Sequence, residues 1–280
     1  MDKYLLNKSA MVTGAASGIG KATALLYGQL GANVMVSDIN ETQGQQVVDE
    51  LVEAGASAIF FKADVGVPDQ CQKLVQATVN AFGQLDIAFN NAGIGGELNQ
   101  TADYSVEGWQ HIINVNLNSV FYCLKYELEA MLKQAGTGSI VNMASILGQV
   151  GTAQSPGYVA AKHGVVGLTQ AAAIENAARG IRINAIGPAY INTPLLGVLP
   201  EEAREMLTGL HPIGRLGRSE EVAELVVWLS SDKASFVTGS YYPIDGGTWR
   251  NENRPYVPLS SFTSYEKPNQ SRSQFSPVAS

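Results

Sequence analysis

Tyr158 and Lys162 stand four positions apart in a stretch, 158–178, patterned as an amphipathic helix, so their heads project from one face within reach of each other. A phenol with an ordinary pKa near ~10 is a poor proton carrier at neutral pH. An ammonium beside it stabilises the phenolate and lowers that pKa toward a usable range, which gives the pair general acid–base chemistry. Tyr/Lys pairs are common on helix surfaces. Here Ser145 tips the balance, because it ends an apolar run thirteen residues upstream of Tyr158. The carboxyl ends of strands are where open α/β sheets bind ligands, so a hydroxyl there can orient the same oxygen that the phenol protonates.

A second chemical signal is the glycine-rich run T-G-A-A-S-G-I-G-K-A-T at 13–23. An ATP-type phosphate loop needs G-x-x-x-x-G-K followed by Ser or Thr. Five positions after Gly14 comes Ile19 rather than glycine, and Lys21 is followed by Ala22, so neither the spacing nor the magnesium-binding hydroxyl is present. A dinucleotide loop fits better. Gly14 permits the tight turn, Gly18 lets a pyrophosphate approach the backbone, and Gly20 lets helix and strand pack closely. Ser17, Ile19 and the free backbone N–H groups at the helix start complete an anion site. About twenty residues on, V-M-V-S-D ends in Asp38, where such folds read the adenosine ribose. Its carboxylate accepts from both ribose hydroxyls and repels a 2′-phosphate. No Arg or Lys occupies 15–17 or 39–40 to compensate, so the expected cofactor is NAD rather than NADP.

Other chemistries lack support. His111, His163 and His211 show no metal-ligand spacing, so no metal site is expected. Cys71 and Cys123 are too few for a disulfide framework and are expected as reduced thiols filling helix packing. The net charge is −7 with no long basic run, which disfavours nucleic-acid or anionic-membrane partners. The N-terminus lacks a signal-peptide pattern, and no window of eighteen apolar residues exists. The expected location is the cytoplasm.

The elements that must carry these residues alternate along the chain. Apolar runs at 10–13, 33–37, 58–62, 87–90, 139–143, 182–186 and 241–244 are rich in Val, Ile and Phe without clean polar alternation, as strands buried on both faces are. Amphipathic stretches at 21–30, 41–54, 69–82, 109–133, 158–178 and 220–229 separate them. That order predicts an α/β fold: a single doubly wound parallel sheet of about seven strands, with helices on both faces. Residues 251–280 carry seven serines and four prolines without periodicity. They are expected to be a disordered extension or an arm, appended to a catalytic domain spanning 1–250.

Together, residues 13–20, Asn90-Asn91-Ala92-Gly93, Ser145 and Tyr158-x-x-x-Lys162 resemble the short-chain dehydrogenase/reductase family, over about residues 5–248. Asn184-Ala185-Ile186-Gly187-Pro188 and Asp245-Gly246-Gly247 match its later segments. The resemblance implies a Rossmann-type sheet and proton exchange between Tyr158 and a substrate hydroxyl. Lys162 would also hold the nicotinamide ribose, and Ser145 would orient the substrate oxygen. Asn116 matches the family's fourth polar member, which supports a water relay behind the lysine; a buried, satisfied amide is the structural alternative, and the two roles can coexist. Asp64 and Val65 would contact adenine, Asn90, Asn91, Ala92 and Gly93 would line the cofactor cleft, and Pro188, Ile191 and Thr193 would flank the nicotinamide. One departure is Pro188-Ala189-Tyr190, where the family usually has Pro-Gly; alanine closes off positive φ and adds a methyl beside the nicotinamide.

The segment after Thr193 resembles the family's substrate-covering lid. Its Leu195, Leu196, Val198, Leu199, Met206 and Leu210 suit a hydrophobic or alicyclic alcohol, or only pack the lid down. Gln149, Gln154 and Tyr190 are candidate substrate contacts. Gly164, Gly167, Ala160, Ala161 and the alanines at 171–173 make the helix smooth enough for a second copy to approach, and the family resemblance implies a homotetramer. The expected activity is NAD-linked hydride transfer between a secondary alcohol and a ketone. Rival readings are an NADPH-dependent 3-oxoacyl-carrier-protein-type ketoreductase and a non-catalytic dinucleotide sensor. Asp38 counts against the first, and the intact Ser145, Tyr158 and Lys162 against the second.

Overall fold

Strand β1 (Ser9–Thr13) is buried along its whole length, and the chain that follows repeats strand and helix around it. The computed structural model describes residues 3–134, 137–197 and 199–248; the expected extension 251–280 and Val198 lie outside the described residues. Strands β2 (Asn33–Asp38), β3 (Ala58–Lys62), β4 (Ile87–Asn90), β5 (Gly138–Met143), β6 (Ile181–Pro188) and β7 (Tyr241–Ile244) join β1 in one parallel sheet of order β3-β2-β1-β4-β5-β6-β7. The expected runs match these strands to within a residue at each end, except that β6 runs two residues further, to Pro188. Neither face of the central strands meets water, which is why their sequences lack polar alternation.

Alternate side chains feed two cores. Val12, Val36, Phe89 and Val141 point to one face, where α1 (Gly18–Gln29), α2 (Glu41–Glu53) and α9 (Ser219–Ser230) cover them. Met11, Met35, Ala88 and Ile140 point to the other, under α3 (Pro68–Phe82), α5 (Ser119–Met131) and α6 (Pro156–Asn176). Pro156 opens α6 at its first turn, where proline's missing N–H is no loss.

The stretch 109–133, expected as one helix, is two. Helix α4 (Val106–Ile113) passes through a π turn at Asn114–Asn118 before α5 begins. Periodicity does not distinguish the two cases, because the extra residue of a π turn shifts register by only part of a turn. Helices α7 (Pro194–Gly197) and α8 (Glu201–Gly209) follow β6 as the lid. The order reverses between β1 and β4, and there the carboxyl ends of the strands splay into the crevice where such sheets bind ligands.

Candidate active site

The expected site residues gather at or beyond the carboxyl ends of the strands, on the helices that follow them, and, for Asn116, in the π turn. Residues 14–17 join β1 to α1 and 18–20 open α1, Asp38 ends β2, Asp64 and Val65 follow β3, Asn91 to Gly93 follow β4, Ser145 follows β5, Pro188 ends β6, and Ile191 and Thr193 follow it. Positive φ values at Gly14 (62°) and Gly18 (54°) are required by the turn. A Cβ on Gly14 would come within 2.9 Å of the Ala92 Cα, and one on Gly20 would run into the Gly14 carbonyl.

The β1–α1 loop fits a dinucleotide's phosphates. Ser17, the residue before α1, makes no side-chain cap, so the helix's first N–H groups are left for an anion. Asp38 faces the same loop: its carboxylate accepts from the Ala16 N–H at 3.0 Å and the Asn40 N–H at 2.9 Å, leaving a lone pair on each oxygen. Thr193 closes the other side, its methyl 3.2 Å from where a Gly18 Cβ would sit. Asn91 holds the loop's far end, its Nδ2 donating to the carbonyls of Thr13 and Gly14 at 3.0 Å each. Thr13 was not singled out from the sequence, yet its hydroxyl accepts from the N–H groups of Asn91 and Ala92. The only signal for it was its place as the last residue of β1.

Ser145 and Tyr158 are brought side by side, near enough for the Ser145 side chain to act on the Tyr158 phenol. Ser145 is fixed at both ends: its Oγ accepts from the Leu147 N–H at 3.2 Å, and its carbonyl accepts from the Tyr241 hydroxyl at 2.7 Å. Lys162 is buried one turn along α6, with its Nζ 5.5 Å from the centre of the Tyr158 ring. The expected lowering of the phenol's pKa does not occur. Burial pushes Tyr158 above its ordinary value, only partly offset by Ser145, and nearby Tyr190 adds to the rise. Lys162 turns its Nζ to the Met143 carbonyl at 2.8 Å, and burial lowers its own pKa to about 7, so its charge is weakened at neutral pH.

Asn116 sits in the π turn, almost wholly buried. Its Oδ1 accepts from the Ile94 N–H at 3.3 Å, and its Nδ2 donates to the carbonyls of Ile94 at 3.0 Å and Ile112 at 3.3 Å. A Cβ on Gly93 would lie 2.6 Å from that Oδ1 and 3.7 Å from Lys162 Nζ, so these three residues share one packed corner. Ala189 needs no left-handed backbone: among the described residues only Asn7 and Gln154 adopt it without being glycine. The Ala189 N–H donates to Ile244 at 3.1 Å. Asn90 turns away from the cleft toward Glu127 and Asn142.

The substrate side is less closely gathered. Tyr190 reaches the neighbourhood of Tyr158 and packs edge-on against the buried His211 ring, 5.8 Å between centroids. Gln154 is half-buried and strained at φ 65°. Gln149 and Leu195 stand exposed at the rim. The exposed His163 stays on its own helix, its Nδ1 donating to the Val159 carbonyl at 2.9 Å. Among the described residues no three His, Cys, Asp or Glu side chains group as metal ligands, and no helix is long and apolar enough to cross a membrane.

Comparison with known proteins agrees on the fold. A family model described as enoyl-(acyl carrier protein) reductase matches residues 14–248. Cyclohexanol dehydrogenase of Acinetobacter sp. (strain SE19) is 56% identical over 246 residues, covering 88% of this chain and 96% of its own. The 3-oxoacyl-[acyl-carrier-protein] reductase FabG of Thermotoga maritima is 41% identical over 243 residues, covering 87% and 98%. The crystal structure of levodione reductase superposes with a TM-score of 0.85 at 36% identity, covering 88% of this chain and 99% of that one.

Proposed function

The chain belongs to the short-chain dehydrogenase/reductase family, and from that premise we propose that it is an NAD-dependent oxidoreductase interconverting ring alcohols of the cyclohexanol class and their ketones. The observation that carries the chemistry is the placing of Ser145 beside Tyr158, with the buried Lys162 one helical turn on and its Nζ 5.5 Å from the Tyr158 ring centre. The 56% identity to a cyclohexanol dehydrogenase and the apolar lid support the substrate class. Asp38, with no basic residue at 15–17 or 39–40, supports NAD.

When bound, the nicotinamide supplies or accepts the hydride. The chain's own residues handle the oxygen and its proton. Ser145, clamped by Leu147 and Tyr241, holds the substrate oxygen beside the phenol. Tyr158, kept protonated by burial, gives its proton to a ketone oxygen; in the alcohol-oxidising direction it first passes that proton to neutral Lys162, and the phenolate then takes the alcohol's. Lys162, with a pKa near neutrality, recharges or drains the phenol. Asn116 keeps Ile94 and Gly93 in place beside the lysine, compatible with a relay water there. Tyr190, Gln154, Gln149 and Leu195 line the substrate side, and Asp64, Val65, Pro188 and Ile191 complete the cofactor cleft.

We further propose a homotetramer in the cytoplasm. Exposed Trp109, Phe121 and Ile174 on α4, α5 and α6 support self-association, and the two free, buried thiols support a reducing compartment. The rival reading, an NADPH-dependent acyl-carrier-protein ketoreductase, is favoured by the similarity to FabG. Absorbance assays decide between them: NAD with cyclohexanol and substituted cyclohexanols against NADPH with a 3-oxoacyl thioester. NAD-linked ring-alcohol turnover at least about tenfold above the NADP-linked rate supports the proposal; preference for NADPH and the thioester overturns it.

A further inference from the structure

Glu127 is the buried charge-bearing group that the proposed chemistry does not use. It lies on α5, fully buried, and its Oε2 accepts from Asn90 Nδ2 at 3.0 Å. The second hydrogen of that amide goes to Asn142 Oδ1 at 3.0 Å. Asn142 Nδ2 then donates to Thr169 Oγ1 at 2.9 Å, which donates on to the Val165 carbonyl at 2.7 Å. Four elements, α5, β4, β5 and α6, are thus tied by one line of polar side chains through the apolar core.

Two oxygens in this line have no donor: Glu127 Oε1 and Asn90 Oδ1. Both hydrogens of the Asn90 amide are already used, so its oxygen needs a donor from elsewhere. No cation stabilises the carboxylate; the titratable groups facing it are the Cys123 thiol on its own helix and, behind that, Cys71 on α3. The hydrogen bond with Cys71, and after it burial, hold Cys123 well above the ordinary thiol value, so neither a positive charge nor an acidic proton comes from there. From β4 it meets the neutral Asn90 amide, and Asn142 on β5 and Thr169 on α6 continue the line as a neutral amide and a hydroxyl. One proton on Glu127 Oε1 supplies the missing donor and removes the unpaired charge together.

We propose that Glu127 is a positioning residue that works as a neutral carboxylic acid, its Oε1–H donating to Asn90 Oδ1 so that acid and amide pair through two hydrogen bonds. The pair fixes the residue before Asn91, which holds the Thr13 and Gly14 carbonyls of the phosphate loop. Through Asn142 it fixes the residue before Met143, whose carbonyl holds Lys162. The two halves of the cleft are thereby kept in register. Burial, raising the carboxyl to about 8, is consistent with this protonation state.

Three measurements on the full chain test it. An infrared difference spectrum at neutral pH should show a protonated-carboxylic-acid band that Glu127→Gln removes. As pH rises from the ordinary 4.5 to about 8, the Tm of the unaltered protein should fall relative to Glu127→Gln, because the folded state holds a proton that the unfolded state has lost. Glu127→Leu should weaken NADH binding about tenfold, the equivalent of one displaced hydrogen bond, while Glu127→Gln restores it to within about twofold. Absence of the acid band, parallel Tm curves, or Glu127→Gln as damaging as Glu127→Leu overturns the proposal. The first two arms need neither NAD nor a ring alcohol. They therefore stand if the functional reading above fails, and decide the matter if Glu127→Leu does not fold.

Discussion

Tyr158 lies beside Ser145 as a phenol lifted in pKa by burial. In the proposed chemistry its hydroxyl exchanges the proton with the substrate oxygen, so Tyr158→Phe should lower kcat by at least about a hundredfold. NADH binding, followed by fluorescence, should change by less than about threefold, since ring and packing are kept; a variant that retains turnover refutes the assignment. Asp38 meets the loop through Ala16 and Asn40, and its charge faces the ribose position. Asp38→Ala combined with Ile39→Arg should move the ratio of NAD to NADP kcat/KM toward NADP by about a hundredfold or more, by removing a repulsion and adding a phosphate partner. An unchanged ratio would mean that the ribose lies elsewhere.

Among the elements, α1 and α9 pack side by side over β1 and carry the phosphate loop's helix. Tyr27 of α1 is fully buried, and its hydroxyl lies 2.7 Å from Ser230 Oγ of α9, which in turn donates to the Val226 carbonyl at 2.8 Å. Tyr27→Phe keeps the ring and removes one bond between helices while leaving Ser230 satisfied. The expected cost is about 1 kcal/mol in urea unfolding, with turnover unchanged. A loss beyond about 3 kcal/mol would show that the hydroxyl supports more than this one contact. The π turn is a second element-scale device. It brings Asn116 inward at the junction of α4 and α5, where a continuous helix would give the chain no reason to break.

Across the whole molecule, the catalytic corner opposes folding. Lys162 is buried with its pKa lowered from 10.5 to about 7, so over that window the unfolded chain holds more protons than the folded one. Stability contributed at this site therefore rises with pH between about 7 and 10.5, and is absent below. Against Lys162→Met, which retains Glu127 and so cancels its opposite trend, the unaltered protein should gain about 3–5 kcal/mol across that range in chemical denaturation. Parallel stability curves would mean that water reaches the ammonium and the burial is incomplete.

The sequence by itself determined the alternation of seven strands with helices, and with it the position of the glycine-rich loop, Asp38 and Ser145 at strand ends and of Tyr158 and Lys162 one turn apart on a helix, because each is written in a local period or a short spacing. Strands buried on both faces are continuous apolar runs, and a glycine that must approach a phosphate has no substitute. What only the tertiary structure decided lies at longer range. Glu127 meets Asn90 across 37 residues, and Asn90 meets Asn142 across 52; a glutamate in an amphipathic helix gives no sign of whether it faces water or core. The protonation of Tyr158 and Lys162 was likewise beyond reach, since their four-residue spacing fixes proximity while depth of burial sets the charge. That depth is a property of the packed sheet, its two helical layers and the turns between them.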